Sequence, residues 1–149
     1  MPPVAVAETS DRASSERALE AALDEVSAWL SRRVGYAEAS VMAYDPDVLL
    51  PVAFTTSEPC DLAHAQAACR NEQLDADIHK FRDLALRPAP VASMSLDDPE
   101  ARTSIRWMEL IEPSGHRHEL RAALVDGRGR CWGRSVSSGT AQLGFLRRM

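Results

Sequence analysis

The segment from Glu119 to Gly133, ELRAALVDGRGRCWG, constrains the fold more than any other because it spells a β-hairpin. Leu120, Ala122 and Leu124 alternate with Arg121, Ala123 and Val125, the period of two that distinguishes the sides of a strand. Asp126-Gly127 opens the turn, and Cys131-Trp132-Gly133 begins the return strand. Asp126-Gly127-Arg128-Gly129 is read as that turn and not as a phosphate loop, because it lacks the lysine, the wider glycine spacing and the following helix.

Upstream, Leu19, Leu23, Val26 and Leu30 recur at helical spacing, with Glu16 in the first turn, Arg32 and Arg33 in the last, and Gly35 placed to stop the helix. Ala39 to Tyr44 and Val48 to Thr56 read as two strands joined by Asp45-Pro46-Asp47, and Pro51 puts the second at an edge or a bulge. Two helices are expected over Asp61–Glu72 and Leu74–Leu86, the latter with Leu74, Ile78, Phe81 and Ala85 as its buried stripe. Val91 to Leu96 reads as a short strand. Asp98-Pro99-Glu100 then starts a helix, because proline at the first helical position gives up only an unused donor, and Ile105, Met108 and Ile111 form its inner face.

With 149 residues and 45% hydrophobic content the chain can bury one core. The fold class expected is a single-domain α+β protein, an antiparallel sheet with covering helices. Residues 1–14 are read as a flexible arm, 15–133 as the domain, and 134–149, where the pattern fades, as an atypical tail in which Leu143, Phe145 and Leu146 are free to pack. The net charge of −5 supplies no positive field for phosphate, so nucleic-acid binding by this chain is not expected. No window has the roughly 18 consecutive apolar residues of a membrane span. Three widely spaced cysteines without a signal-peptide pattern point to a reducing cytoplasm.

The candidate chemistry is sparse. His116 and His118 flank Arg117 in an HxH spacing and, with Cys131, form the metal-site candidate; without a CxxC or HExxH pattern, two loop histidines are the simpler reading. Cys69 beside Arg70 is a nucleophile candidate set against a buried packing residue. Asp75/Asp77 and Asp97/Asp98 are read as helix starts before acid pairs, and His64 and His79 as ordinary helix residues. Trp107 and Trp132 are the ligand-cavity candidates, with core packing the preferred place for Trp132. No cofactor is implied.

Taken together, CRNEQLDADIHKFRDLALRPAPVASM (Cys69 to Met94) and DDPEARTSIRWMELIEPSGHRHELRAALVDGRGRCWG (Asp97 to Gly133) resemble the N-terminal sensory region, GAF-like or PAS-like, of bacterial LuxR-type helix-turn-helix transcriptional regulators. The resemblance spans roughly Ala18 to Gly133. It matches at Glu119, Leu120, Arg121, Asp126, Gly127, Cys131, Trp132 and Gly133, which it implies are structural. It implies a non-catalytic input domain that senses a small molecule, with homodimerisation through the first helix as a further reading. Those regulators continue into a DNA-binding domain that is not recognisable after Gly133, so a shortened or frameshifted reading frame is expected here. From a different class, the alternative is a small α+β metal-binding protein or enzyme using His116, His118 and Cys131.

Overall fold

The computed structural model describes the backbone of residues 4–140 and the side chains of residues 14–140. In chain order come helix α1 (Val4–Arg33), strands β1 (Glu38–Tyr44) and β2 (Pro51–Thr56), helices α2 (Leu62–Gln73) and α3 (Phe81–Leu84), strand β3 (Val91–Ser95), a 3₁₀ turn at Pro99–Thr103, a π-helical turn at Trp107–Ile111, and the hairpin of β4 (His118–Val125) and β5 (Cys131–Gly139). The strands form one antiparallel sheet in the order β2-β1-β5-β4-β3, so the last strand enters at the centre. The chain is a single α+β domain.

Helix α1 covers one face of the sheet. Its stripe of Leu19, Leu23, Val26 and Leu30 packs on Val41 and Ala43 of β1, Ala53 of β2 and Leu124 of β4, and Val34 just beyond the helix packs on Leu120. On the opposite face Met42, Tyr44, Ala123 and Cys131 pack against Phe81 and Leu84 of α3. Beside them Met94 packs with Ala101, Trp107 and Ile111 from the two irregular turns. β2 is an edge strand, and the ladder slips between Ala43 and Tyr44 where Tyr44 faces Pro51, the place at which proline withholds a donor.

Several expectations are corrected. Residues 74–80 are not helical, and Leu74 is 79% exposed. The cause is Asp77: its carboxylate accepts from the backbone N–H of Ile78 at 2.7 Å and of Arg106 at 2.8 Å, and from Asn71 Nδ2 at 2.8 Å. Such local bonds compete with helix formation, and His79 follows at φ 56°. The helix expected after Pro99 divides at Ser104, whose side chain accepts from the Trp107 N–H at 3.1 Å. Beyond it the chain widens into π geometry, with Glu112 N–H donating to the Trp107 carbonyl at 2.9 Å. Its buried face is therefore Trp107, Leu110 and Ile111, while Met108 is exposed.

α1 begins at Val4, inside the stretch expected as an arm. β5 runs past Gly133 to Gly139 and pairs on both sides, Arg134 with Met42 and Ala123, Val136 with Ser40 and Arg121. The expected tail thus begins as the central strand, and residues 141–149 lie outside the described residues. Among the described residues no helix is long and apolar enough to cross a membrane.

Candidate functional site

Between the α2 side of the sheet and α2 itself lies a cavity of about 460 Å³. Its existence follows from small side chains: α2 directs Ala65, Ala68 and Cys69 at it, where a helix sealing a core would carry leucine or isoleucine. Asp61 caps α2 by accepting the His64 N–H at 2.8 Å, which fixes where the helix begins above the sheet. Phe54 and Met42 line one side, with Leu110 and Ile111 from the π-helical turn on another.

The floor is charged. In β4 the alternation puts Glu119 and Arg121 on this face, 1% and 3% exposed. Arg106, ahead of the π-helical turn, grips Glu119 through two nitrogens: Nε donates to Oε1 at 2.9 Å and Nη2 to Oε2 at 2.9 Å. The remaining Nη1 donates to the Ile78 carbonyl at 3.1 Å and lies 3.9 Å from Asp77 Oδ2. Arg121 Nη1 lies 3.6 Å from Glu119 Oε1, and its Nη2 donates to Glu72 Oε2 of α2 at 2.6 Å. Glu72 accepts the Phe81 N–H with its other oxygen at 2.7 Å, which anchors α3. Charges therefore alternate from Asp77 through Arg106, Glu119 and Arg121 to Glu72, the form in which buried ions are tolerated.

Burial alone would push the Glu119 carboxyl up; the charges of Arg121 and Arg106 and their hydrogen bonds outweigh it and hold the pKa below the ordinary value. Burial pulls the Arg121 guanidinium down, with Glu119 opposing. A second guanidinium stands beside it: Arg134 of β5 lies with Cζ 5.0 Å from the centre of the Phe81 ring, over which Arg121 sits at 3.9 Å. Arg134 Nη1 donates to Ser40 Oγ at 3.5 Å, and it is paired with no carboxylate among the described residues. Among the described residues, the buried Nε atoms of both Arg121 and Arg134 have no hydrogen-bond partner.

The metal-site candidates are not gathered. His116 lines the cavity, His118 starts β4 opposite Gly139, and Cys131 lies at the turn end of the same hairpin, about 20 Å away at the rise of a strand. Among the described residues no three His, Cys, Asp or Glu side chains form a group able to hold a metal. His116 Nε2 lies 3.1 Å from Glu38 Oε2 without the alignment of a hydrogen bond, and neither ring nitrogen has a hydrogen-bond partner.

Neither tryptophan lines the cavity. Trp107 is 1% exposed within the Met94 cluster. Trp132, expected in the core, is 45% exposed at the hairpin turn; its Nε1 donates to Asp126 Oδ2 at 2.8 Å and Arg130 stacks on its ring at 4.8 Å. Cys69 is exposed and not a packing residue; the buried one is Cys131. Cys69 and Cys60 both line the cavity, and burial, with Asp61 and Glu38 nearby, pushes the Cys60 thiol up, against formation of a thiolate.

The reading of the hairpin residues as purely structural overlooked the floor. A partial signal was present: the alternation that sets Leu120, Ala122 and Leu124 on one side of the strand sets Glu119 and Arg121 together on the other. Their partners, Arg106 and Glu72, and the neighbouring Arg134 stand in other segments, read as helix or tail, and carried no signal. No protein-family model, curated protein or solved structure matches the chain.

Proposed function

We propose that the chain is a non-catalytic, small-molecule-binding sensory domain of the kind that LuxR-type transcriptional regulators carry. The cavity carries this reading: at about 460 Å³ it is the size of sites that enclose a small ligand, with apolar walls and a few fixed polar groups. Binding is favoured over catalysis because the Glu119 carboxylate is held ionised by arginine. Glu119 accepts from Arg106 and faces Arg121, so it is a weak base with little freedom to move a proton. The cavity is also bounded by different elements, the sheet on one side and α2 with the π-helical turn on the other. Occupancy then has a route to alter the position of α2 and the π-helical turn relative to the sheet.

The test is a thermal-shift screen of a small-molecule library on the full chain and on Ala68→Phe, which fills the space beneath α2. A compound present at about 100 times its Kd should add about 2.7 kcal/mol to wild-type stability and should lose this effect in the variant. Hits that stabilise both proteins equally would sink the proposal, because the binding would then lie elsewhere.

A further inference from the structure

The cavity floor presents donors without acceptors, and that imbalance carries information about what would fill it. Three guanidiniums line it, Arg106, Arg121 and Arg134, against two carboxylates in contact with them, Glu72 and Glu119. Asp77, the third acid of the chain of charges, does not line the cavity and is occupied by Ile78, Arg106 and Asn71. The other acids of the lining are Glu38, Glu58 and Asp61; all three are exposed at the mouth, and Asp61 is committed to capping α2. Solvent screens them from the floor. With Asp77 and Glu119 on Arg106, and Glu119 and Glu72 on Arg121, Arg134 is the guanidinium of the floor left without a carboxylate among the described residues.

Two N–H groups point the same way. Arg121 is 3% exposed, and its Nε, like that of Arg134, is buried and unpaired. A buried donor left without an acceptor is destabilising, so the fold tolerates a deficit here that a ligand would remove. Above these donors the walls become apolar, with Met42, Phe54, Leu110 and Ile111.

We propose that the cavity recognises a small organic monoanion, a carboxylate on an apolar body, whose carboxylate is held by Arg134 and the Nε–H of Arg121. The inference rests on the ligand-binding reading above and gives it a chemical class. A planar carboxylate offers two acceptor oxygens to neighbouring guanidinium N–H groups and would give Arg134 the counter-charge it lacks. A dianionic phosphate would bring two negative charges to one unpaired guanidinium and leave a buried negative charge uncompensated.

The experiment is an NMR titration of the full chain with octanoate, octanamide and octylamine, which share a tail and differ in head group. Octanoate is expected to bind at least about tenfold more tightly than octanamide, a difference of about 1.4 kcal/mol, and to shift the signals of Ser40, Phe81 and Val136. In Arg134→Gln the two should bind equally, with octanamide affinity unchanged as evidence that the cavity is intact; Arg134→Lys should keep part of the preference for the acid. Equal binding of octanoate and octanamide to the wild type, or tightest binding of octylamine, overturns the anion assignment and leaves the ligand-binding reading standing. Failure of all three to bind also overturns the assignment, and the Ala68→Phe screen then judges the broader reading separately.

Discussion

The two faces of the one sheet solve opposite problems. Beneath α1 the contacts are aliphatic, Leu23 on Val41 and Ala43 with Leu19, Val26 and Leu30 around them, and the helix lies directly on the strands. Beneath α2 the same strands present Glu119, Arg121 and Arg134, and the helix answers with alanines, so the layers stand apart over a cavity. The first face gains stability by removing apolar area from water. The second spends desolvation of several ions and leaves space. What the difference teaches is that stability and specificity are divided between the faces of a single sheet.

The sharpest way to break this comparison is Glu119→Ala. Removal of the shared acceptor breaks the buried network at its centre, leaving Arg106 only Asp77 at 3.9 Å and Arg121 only Glu72, and should cost about 3–5 kcal/mol in denaturant unfolding. Replacing the three central charges, Arg106→Met with Glu119→Leu and Arg121→Met, should recover part of that loss and weaken carboxylate binding. A triple variant as unstable as the single one would mean that the charges hold the fold itself.

The network also has a pH signature. The folded-state pKa of Glu119 lies below its ordinary 4.5, so its contribution is complete above that pH and is lost as the pH falls through the folded value. Wild type should therefore lose stability on acidification more steeply than the triple variant. Parallel pH profiles from pH-dependent unfolding would remove Glu119 from the account.

On the α1 face, Leu23→Ala should cost about 2–3 kcal/mol by unfolding, the ordinary consequence of a cavity in an apolar contact, and should leave ligand binding unchanged. Coupling between Leu23 and the binding site would blur the division of labour between the faces. Gly133→Ala should cost about 1–3 kcal/mol: an added Cβ would meet the Met42 carbonyl oxygen at 2.5 Å, backbone that moves only by prising β5 from β1. Retention of full stability there would show that the centre of the sheet is slack.

The smallest effect lies farthest from both faces. At the turn Asp126 accepts from Trp132 Nε1, from the backbone N–H groups of Arg130 and Arg128, and from the Arg130 side chain, and its pKa is lowered to about 2. Its contribution is present above the ordinary carboxylate value of 3.8 and fades as the pH falls toward about 2. Trp132→Phe removes the first of these donors, so the Asp126 carboxyl should titrate at higher pH by NMR while global stability barely moves. An unchanged titration would show that the backbone donors suffice.

Much of the fold was legible because it is written locally. The α1 stripe, the Pro51 edge strand and the DG turn each depend on residues within one element, and each stands where periodicity or turn chemistry puts it. Expectations failed where a distant group outbid a local preference. The 74–86 helix gives way because the Asp77 carboxylate has a partner 29 residues away in the Arg106 N–H. RSVSSG looked like a tail because serine has little strand propensity, yet ladders with both β1 and β4 make it the central strand.

The sequence by itself determined the class of fold, the amphipathic helix and the hairpin, since periodicity and turn chemistry act over a few residues. The tertiary structure alone decided which side of ELRA turns toward a cavity, that Arg106 and Glu72 close on Glu119 and Arg121, and that Arg134 has no carboxylate partner among the described residues. The physical reason is that ion pairing and cavity formation are properties of segments brought together from far apart, and a one-dimensional pattern carries no measure of that distance.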